Sequence, residues 1–133
     1  MRLVKQEDPF GCAIACVASI LNTTYKDSLK LFNNAQVRVK DEGFYCKEIV
    51  EVLRKKGLNY EWRYIKPYIR KRIYSHYSIV YLKKSKEYPQ GHYLVRVNNK
   101  WMDPWINFPN EDVKAGFRKK LPSKAIYAIL RLY

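Results

Sequence analysis

The stretch from Cys12 to Leu21, which reads Cys-Ala-Ile-Ala-Cys-Val-Ala-Ser-Ile-Leu, constrains the fold most. It is too long for a typical buried strand and far short of the ~18 apolar residues that a membrane span needs. Because it is apolar on all sides and rich in alanine, it is predicted to form a helix buried at the centre of the protein. Pro9 and Gly11, just before it, predict a turn that leads into this helix.

The rest of the first half also has helical patterns. Thr24 with Asp27 resembles a capping box and predicts a second helix near 25–33. An amphipathic third helix is predicted over 43–56, with Gly57 ending it.

The second half alternates with the period of strands. Strands are predicted at 59–65, 76–82, 92–97, 100–103 and 125–133, and Asn98-Asn99 is typical of a two-residue hairpin loop. Helices followed by strands predict an α+β fold, with N-terminal helices packed on a C-terminal antiparallel sheet. The chain shows no repeat and no linker, so we expect a single domain over 1–133.

The cysteine count and the N-terminal residues indicate the cellular compartment. Three cysteines without a C-x-x-C pair do not form a disulfide framework. The first eight residues carry charges where a signal peptide needs an apolar region. We therefore expect a reducing, cytoplasmic setting and no transmembrane segment.

The chain is strongly basic, with 26 Lys and Arg against 12 Asp and Glu, or a net charge of +14. Nucleic acid, acidic or amphipathic peptides and an anionic membrane surface are therefore candidate partners. Basic residues concentrate over 54–72, interleaved with Tyr60, Trp62, Tyr64, Tyr68 and, just beyond, Tyr74. Such a mixture suits single-stranded nucleic acid, but we favour a solvated basic face with tyrosines in the core.

Cys12 is the cysteine best placed for chemistry. At a helix start, the unpaired backbone N–H groups and the positive end of the helix dipole stabilise a thiolate. The same N–H groups can donate to a developing oxyanion. The alternative is that Cys12 is a small core residue. Cys16 is interpreted as core, and Cys46 has no evident chemical partner in the sequence.

His92 and Asp103 are predicted to meet across the hairpin. With Asn98-Asn99 as the loop, Leu94 lies opposite Asp103, and Asp103 is the diagonal neighbour of His92. Such neighbours have Cβ atoms roughly 7–8 Å apart or less, within reach of an imidazole–carboxylate hydrogen bond. The alternative is a surface histidine and a turn aspartate before a proline.

His76 is interpreted as structural or exposed, and no nearby carboxylate is evident for it. A zinc site of Cys12, Cys16, His76 and His92 is disfavoured because the spacings match no usual pattern. We therefore expect no metal and no cofactor.

Taken together, Gln6-Glu7-Asp8-Pro9-Phe10-Gly11-Cys12, Gly91-His92-Tyr93 and Asp103-Pro104 resemble the C39-like peptidases, bacterial cysteine proteases of papain-like fold. The family pattern has a Gln six residues before the nucleophilic Cys, then a His at a strand start, then Asp-Pro. The resemblance implies a thiol hydrolase without a cofactor, acting on a peptide or protein substrate. Ala13 stands where the family usually has glycine, and Gly11 precedes Cys12 instead.

The resemblance also implies the role of each residue. Cys12 would be the nucleophile, His92 the acid and base, and Asp103 the residue that orients His92. Gln6 and the backbone N–H of Cys12 would form the oxyanion hole. Deamidation or acyl transfer would use the same residues. A peptidase-like domain that only binds a peptide or partner would keep the fold without the reaction, and a basic nucleic-acid-binding domain would account for the charge alone.

Overall fold

A computed structural model describes residues 2–85, 91–105 and 115–132. The first half of the chain is helical. The helices described there are α1 (Cys12–Leu21), α2 (Tyr25–Leu29), α3 (Ala35–Asp41) and α4 (Cys46–Lys55). A 3-10 helix over Pro67–Tyr74 follows the first strand.

The second half forms a six-stranded sheet. Its strands are β1 (Tyr60–Tyr64), β2 (Ile79–Leu82), β3 (His92–Val97), β4 (Lys100–Asp103), β5 (Gly116–Arg118) and β6 (Ala125–Arg131). The order across the sheet is β1-β6-β2-β3-β4-β5, and each neighbouring pair is antiparallel. The predicted α+β architecture, with N-terminal helices and a C-terminal antiparallel sheet, is confirmed.

Helix α1 is the centre of the helical half, as its sequence predicts. Ile14, Ala15, Cys16, Val17 and Ala18 have no exposed surface. The helix packs against α2, α4 and β3. Full burial of one isoleucine or valine side chain contributes about 1.5–3 kcal/mol to the free energy of unfolding, so α1 anchors the fold. None of the helices described is long and apolar enough to cross a membrane.

The sheet is covered on both faces. On one face, Tyr60, Ile79, Tyr93 and Val95 join the core that the helices build. On the other face, Ile73 of the 3-10 helix belongs to a second core with buried side chains from four strands, Val80, Leu82, Leu94, Trp101, Ala128 and Leu130. Because both faces of β2 and β3 are covered, nearly all of their side chains are buried, and both strands are therefore nearly continuous apolar runs.

Four elements differ from the prediction. Helix α2 is five residues long and ends at Leu29, although Thr24 caps it as expected by accepting from the Asp27 N–H at 3.1 Å. The sequence does not predict helix α3, because only Ala35 and Val39 are buried and so give little hydrophobic periodicity. The 3-10 helix, within the basic stretch, and the three-residue strand β5 also lack a clear pattern.

The predicted hairpin register is confirmed. Val97 pairs with Lys100, Arg96 with Trp101 and Val95 with Met102. Asn98, the first loop residue, has a φ of 56°, as a primed two-residue turn requires. Extended by one pair, this register places Leu94 opposite Asp103, and therefore Asp103 diagonally across from His92.

The turn before α1 depends on a close contact between Gly11 and Tyr25. The Tyr25 hydroxyl donates to Asp8 Oδ2 at 2.9 Å. A Cβ atom on Gly11 would lie 1.9 Å from the hydroxyl oxygen of Tyr25, so only glycine leaves room for this ring. Glycine before Cys12 therefore has a packing reason, and the contact fixes the turn that presents Cys12.

Substituting Gly11 should destabilise the protein by overpacking this contact. We expect Gly11→Ala to lower the free energy of unfolding by about 1–3 kcal/mol in denaturant titrations. Tyr25→Phe removes the hydroxyl that the new methyl group would meet. The double variant should therefore lose less stability than the two single losses added together.

Gly116→Ala is the matched control, because a Cβ atom there meets nothing within 4 Å. Its stability should stay near that of the parent. If the losses in the free energy of unfolding caused by Gly11→Ala and Tyr25→Phe simply add in the double variant, the close contact between residue 11 and the Tyr25 hydroxyl is contradicted.

Candidate active site

Cys12 is the first residue of α1 and is partly exposed. Gly11 is the N-cap and has no side chain to bond the first N–H groups, and the first turn contains no acidic residue. The N–H groups of a first helical turn have no acceptor within the helix. The thiol therefore lies beside donors and a positive dipole end that its own helix leaves available.

His92 and Asp103 form a buried hydrogen bond. His92 Nε2 lies 2.7 Å from Asp103 Oδ1, and neither side chain has exposed surface. Asp103 Oδ1 also accepts from the Trp105 backbone N–H at 3.1 Å. The Trp105 indole meets the His92 ring edge-on, with centroids 5.1 Å apart and planes at 86°. The imidazole is thus held on one side by a carboxylate and shielded from water by an indole.

His92 also interacts with Cys12. Burial lowers the pKa of His92, but the charge of the Cys12 thiolate, the hydrogen bonds to Asp103 and Cys12 and the charge of Asp103 outweigh burial. Together they raise the pKa of His92 from 6.5 to about 9. At neutral pH the imidazole is therefore protonated beside the Cys12 side chain.

A cleft of about 810 Å³ opens beside these residues, within the range of ligand-binding sites. Its lining includes Cys12, Gly91 and His92. Most of the remaining lining is aromatic, with Phe10, Phe44, Tyr45, Trp62, Tyr81, Tyr93, Trp105 and Tyr127. Trp62, Tyr64 and Tyr81 all contact Tyr127, so an aromatic row leads from the edge strand β1 into the cleft.

Gln6 is 1% exposed and hydrogen-bonded within the turn that precedes α1. Its Nε2 donates to the carbonyl oxygens of Asp8 at 2.9 Å and Pro9 at 3.1 Å. Because both neighbours are acceptors, the amide nitrogen rather than the oxygen must face them. The backbone N–H of Gln6 donates to Pro104 O at 2.9 Å and so ties the N-terminal segment to the chain next to Asp103.

The remaining cysteines and His76 are placed largely as predicted. Cys16 is fully buried in the core, where burial raises its thiol pKa well above the usual value. Exposed His76 accepts from the Asn98 N–H at 2.9 Å, a structural role. Cys46 departs from the prediction, since its Sγ lies 3.6 Å from the Tyr93 hydroxyl and it lines the cleft. Among the described residues no group of His, Cys, Asp and Glu could hold a metal ion.

Several residues of the site are not evident from the sequence. The favoured interpretation of the aromatic residues near the basic stretch is wrong for most of them, because Trp62, Tyr64, Tyr68 and Tyr74 are exposed and only Tyr60 is in the core. Alternation along β1 could have indicated an aromatic face. Arg118, which contacts Asp103, gives no signal because the short strand β5 has no recognisable pattern.

Solved structures with a similar fold are peptidase domains. The peptidase domain of Streptococcus ComA, a bi-functional ABC transporter involved in quorum sensing, is 24% identical, with a TM-score of 0.58 and coverage of 98% of this chain and 96% of that one. The peptidase domain of Streptococcus mutans ComA is 21% identical, with a TM-score of 0.60 and full coverage of both chains.

A double glycine motif protease from an AMS/PCAT transporter, solved in complex with the leader peptide, is 15% identical. It has a TM-score of 0.58 and covers 98% of this chain and 89% of its own. No protein-family model matches the sequence, and no curated protein matches it. The structural likeness confirms the papain-like cysteine peptidase fold that the motifs imply.

The charge of the Cys12 thiolate should be visible in the titration of His92. We expect the His92 imidazole, followed by NMR, to stay protonated to about pH 9 in the parent protein. Cys12→Ala removes the largest cause that raises the pKa, so His92 should lose its proton at lower pH. His76, whose pKa is lowered by burial and by Arg131, is the internal control and should not change.

The same shift links stability to pH. Because the folded-state pKa of His92 exceeds 6.5, its protonation stabilises the fold fully below pH 6.5, and this contribution is lost as pH rises to about 9.

For the NMR experiment, an unchanged His92 titration in Cys12→Ala would mean that the Cys12 thiol is not the electrostatic partner of His92.

Proposed function

We propose that this chain is a cysteine peptidase in which Cys12 is the nucleophile, His92 the general acid and base, and Asp103 the residue that orients His92. The observation that carries the proposal is the fully buried His92–Asp103 hydrogen bond, whose imidazole also interacts with a thiol at a helix start. A buried histidine–carboxylate pair facing a thiol is the arrangement that nucleophilic catalysis requires. We assign this activity to 1–133 as one domain.

The proposed reaction proceeds through a thioester. The Cys12 thiolate attacks the carbonyl carbon of the scissile peptide bond, and a C–S bond forms as the oxygen becomes an oxyanion. His92 gives its proton to the leaving amine while the C–N bond breaks. Neutral His92 then takes a proton from water, whose oxygen attacks the thioester and releases the acid, the Cys12 thiolate and protonated His92.

In this proposal the oxyanion is stabilised by the Cys12 N–H and by Gln6 Nε2. Uncapped N–H groups at the start of α1 support the first donor. The second donor requires Gln6 to exchange its bond to the Asp8 or Pro9 carbonyl for one to the oxyanion. Such an exchange is favourable because a charged oxygen is a stronger acceptor than a neutral carbonyl.

The cleft supports a peptide as substrate. Its volume and aromatic walls can take several apolar side chains at once, which a small amide would not fill. Among the described residues that follow Glu61 in the sequence, buried Asp103 is the only acidic one. The basic sheet half would attract an acidic or amphipathic peptide. Since the nucleophile must stay reduced, we place the activity in the cytoplasm.

Deamidation and acyl transfer are the second candidate reactions, because they share the thioester. Hydrolysis of a side-chain amide would deamidate the substrate, and attack by an amine instead of water would transfer the acyl group. The extended aromatic cleft favours a main-chain substrate. Peptide binding without catalysis would need neither the buried His92–Asp103 pair nor a thiol beside it.

The proposal is tested by mass spectrometry of peptides incubated with the parent and Cys12→Ala. The probes are a proteome-derived peptide library and synthetic peptides with a double-glycine motif. We expect the parent to create new peptide termini and Cys12→Ala to be slower by on the order of 10⁴-fold or more. Cys46→Ala is the control, because Cys46 lines the same cleft but does not contact His92 in the mechanism, and it should retain turnover.

Full turnover by Cys12→Ala would refute the thiol mechanism. Intact peptides that carry deamidated side chains or new acyl linkages, without new termini, would assign deamidation or acyl transfer. Retention of peptide by the parent without any change in its mass would assign binding alone.

Gln6 should affect both turnover and stability, and the two effects can be separated. Gln6→Ala removes a donor to the oxyanion, so we expect kcat to fall by about 100-fold with KM little changed. It also removes two hydrogen bonds of a buried side chain, at a cost of about 1–3 kcal/mol in the free energy of unfolding. Kinetics are therefore measured below the melting range of the variant. An unchanged kcat there would restrict Gln6 to bracing the turn.

A further inference from the structure

Asp103 has a third partner that the peptidase chemistry does not account for. Its Oδ1 is hydrogen-bonded to His92 Nε2 at 2.7 Å and accepts from the Trp105 N–H at 3.1 Å. Its Oδ2 accepts from Arg118 Nε at 2.8 Å. The Asp103 side chain is completely buried, whereas 28% of the Arg118 side chain is exposed. Both carboxylate oxygens are therefore held, one by the histidine and one by a cation.

The register of the sheet explains how Arg118 reaches this oxygen. Gly116 pairs with Asp103, and Arg118 pairs with Trp101, so Arg118 is the diagonal neighbour of Asp103 on the same face. Asp103 thus meets His92 diagonally across β3–β4 and Arg118 diagonally across β4–β5.

We propose that Arg118 is a positioning residue, which fixes the Asp103 carboxylate and balances the charge of the Cys12–His92–Asp103 group. This inference rests on the proposed peptidase function. The Arg118 guanidinium contacts the Asp103 oxygen that His92 does not use. It acts through Asp103 on the orientation and protonation of His92.

Arg118 also affects the net charge of the ionised groups in the site. A thiolate, an imidazolium and a carboxylate together carry one net negative charge. Leaving such a net charge away from water is costly unless it is paired. The Arg118 guanidinium, which stays protonated at all relevant pH values, brings the sum to zero. Its Nε–H also holds Asp103 in the rotamer that His92 needs.

Loss of this cation should favour proton uptake at every nearby site. The Cys12–His92 pair would then bind its protons more tightly, so both of its proton-release steps would move to higher pH. Charged Glu42, Lys47 and Glu48 line the same cleft as Cys12 and His92. The buried titratable groups near Cys12 and His92 include Cys16, Tyr25, Cys46, Tyr81 and Tyr93. Burial raises the pKa of each, so they remain neutral in the range that matters.

The test measures the rate at which iodoacetamide alkylates Cys12 as a function of pH, with peptide mapping to separate Cys12 from Cys16 and Cys46. In Arg118→Gln both steps of the profile should move to higher pH. At a pH on the rising part of the first step, the rate should fall about tenfold, which corresponds to a shift of one pH unit. Arg118→Lys keeps the charge and should restore the parent profile.

Lys119→Gln is the matched control, because it makes the same change of charge at the exposed next residue. Its profile should coincide with that of the parent. Arg118→Met is the second neutral variant, for the case in which Arg118→Gln does not fold. His92→Ala and Asp103→Asn are measured in parallel to show how the profile responds when the proposed triad itself is broken.

The outcomes separate this inference from the proposed function. A parent-like profile in Arg118→Gln or Arg118→Met, together with altered profiles in His92→Ala and Asp103→Asn, would overturn the role of Arg118 and leave the peptidase proposal intact. A shift in Arg118→Lys equal to that in Arg118→Gln would also overturn it. Unfolding of both neutral variants beside a folded Arg118→Lys would assign Arg118 to stability and overturn it as well. A parent-like profile in His92→Ala would instead refute the peptidase chemistry.

Discussion

The hydrogen bond between His92 and Asp103, enclosed with no exposed surface, is the interaction on which the rest of the site depends. Burial alone would make His92 neutral, and its proton is kept only because Cys12 and Asp103 supply negative charge on two sides. Such a pair is stable inside a protein only when its charges are matched and its hydrogen bonds are made. The Trp105 N–H and Arg118 also donate to Asp103, so the surroundings of the carboxylate are as important as the histidine it binds.

The loop before α1 meets a second requirement, which is to hold a thiol at the seam between the helices and the sheet. Four hydrogen bonds hold this loop. The Tyr25 hydroxyl donates to Asp8, Gln6 Nε2 donates to the carbonyl oxygens of Asp8 and Pro9, and the Gln6 N–H donates to Pro104 O. The last of these joins the chain before Cys12 to the chain after Asp103. Gly11 permits the close approach of Tyr25, so a residue that looks like a simple turn former is required by packing.

Charge and aromatic surface are arranged differently in the two halves of the protein. The aromatic row contributes apolar walls to the cleft that contains Cys12. The cations of the sheet half, in contrast, have almost no acidic counterparts among the described residues. In the proposed peptidase, the cleft would select apolar side chains at short range and the net charge would attract acidic peptides at long range. Arg118 belongs to both systems, since it is one of these cations and also neutralises the buried group.

The sequence alone determined the elements whose signal is local. A run of ten residues, apolar except for Ser19, specifies α1. Asn98-Asn99 specifies the hairpin and its register, and that register brings His92 to Asp103. Only the tertiary structure decided the rest: the second thiol in the cleft, the aromatic row across β1, β6 and β2, and Arg118 on a three-residue strand. Hydrophobic periodicity and turn residues involve residues that are close in the sequence, so they can be recognised from the sequence alone. Contacts between distant strands depend on how the sheet is ordered, β1-β6-β2-β3-β4-β5, and no short stretch of sequence records that order.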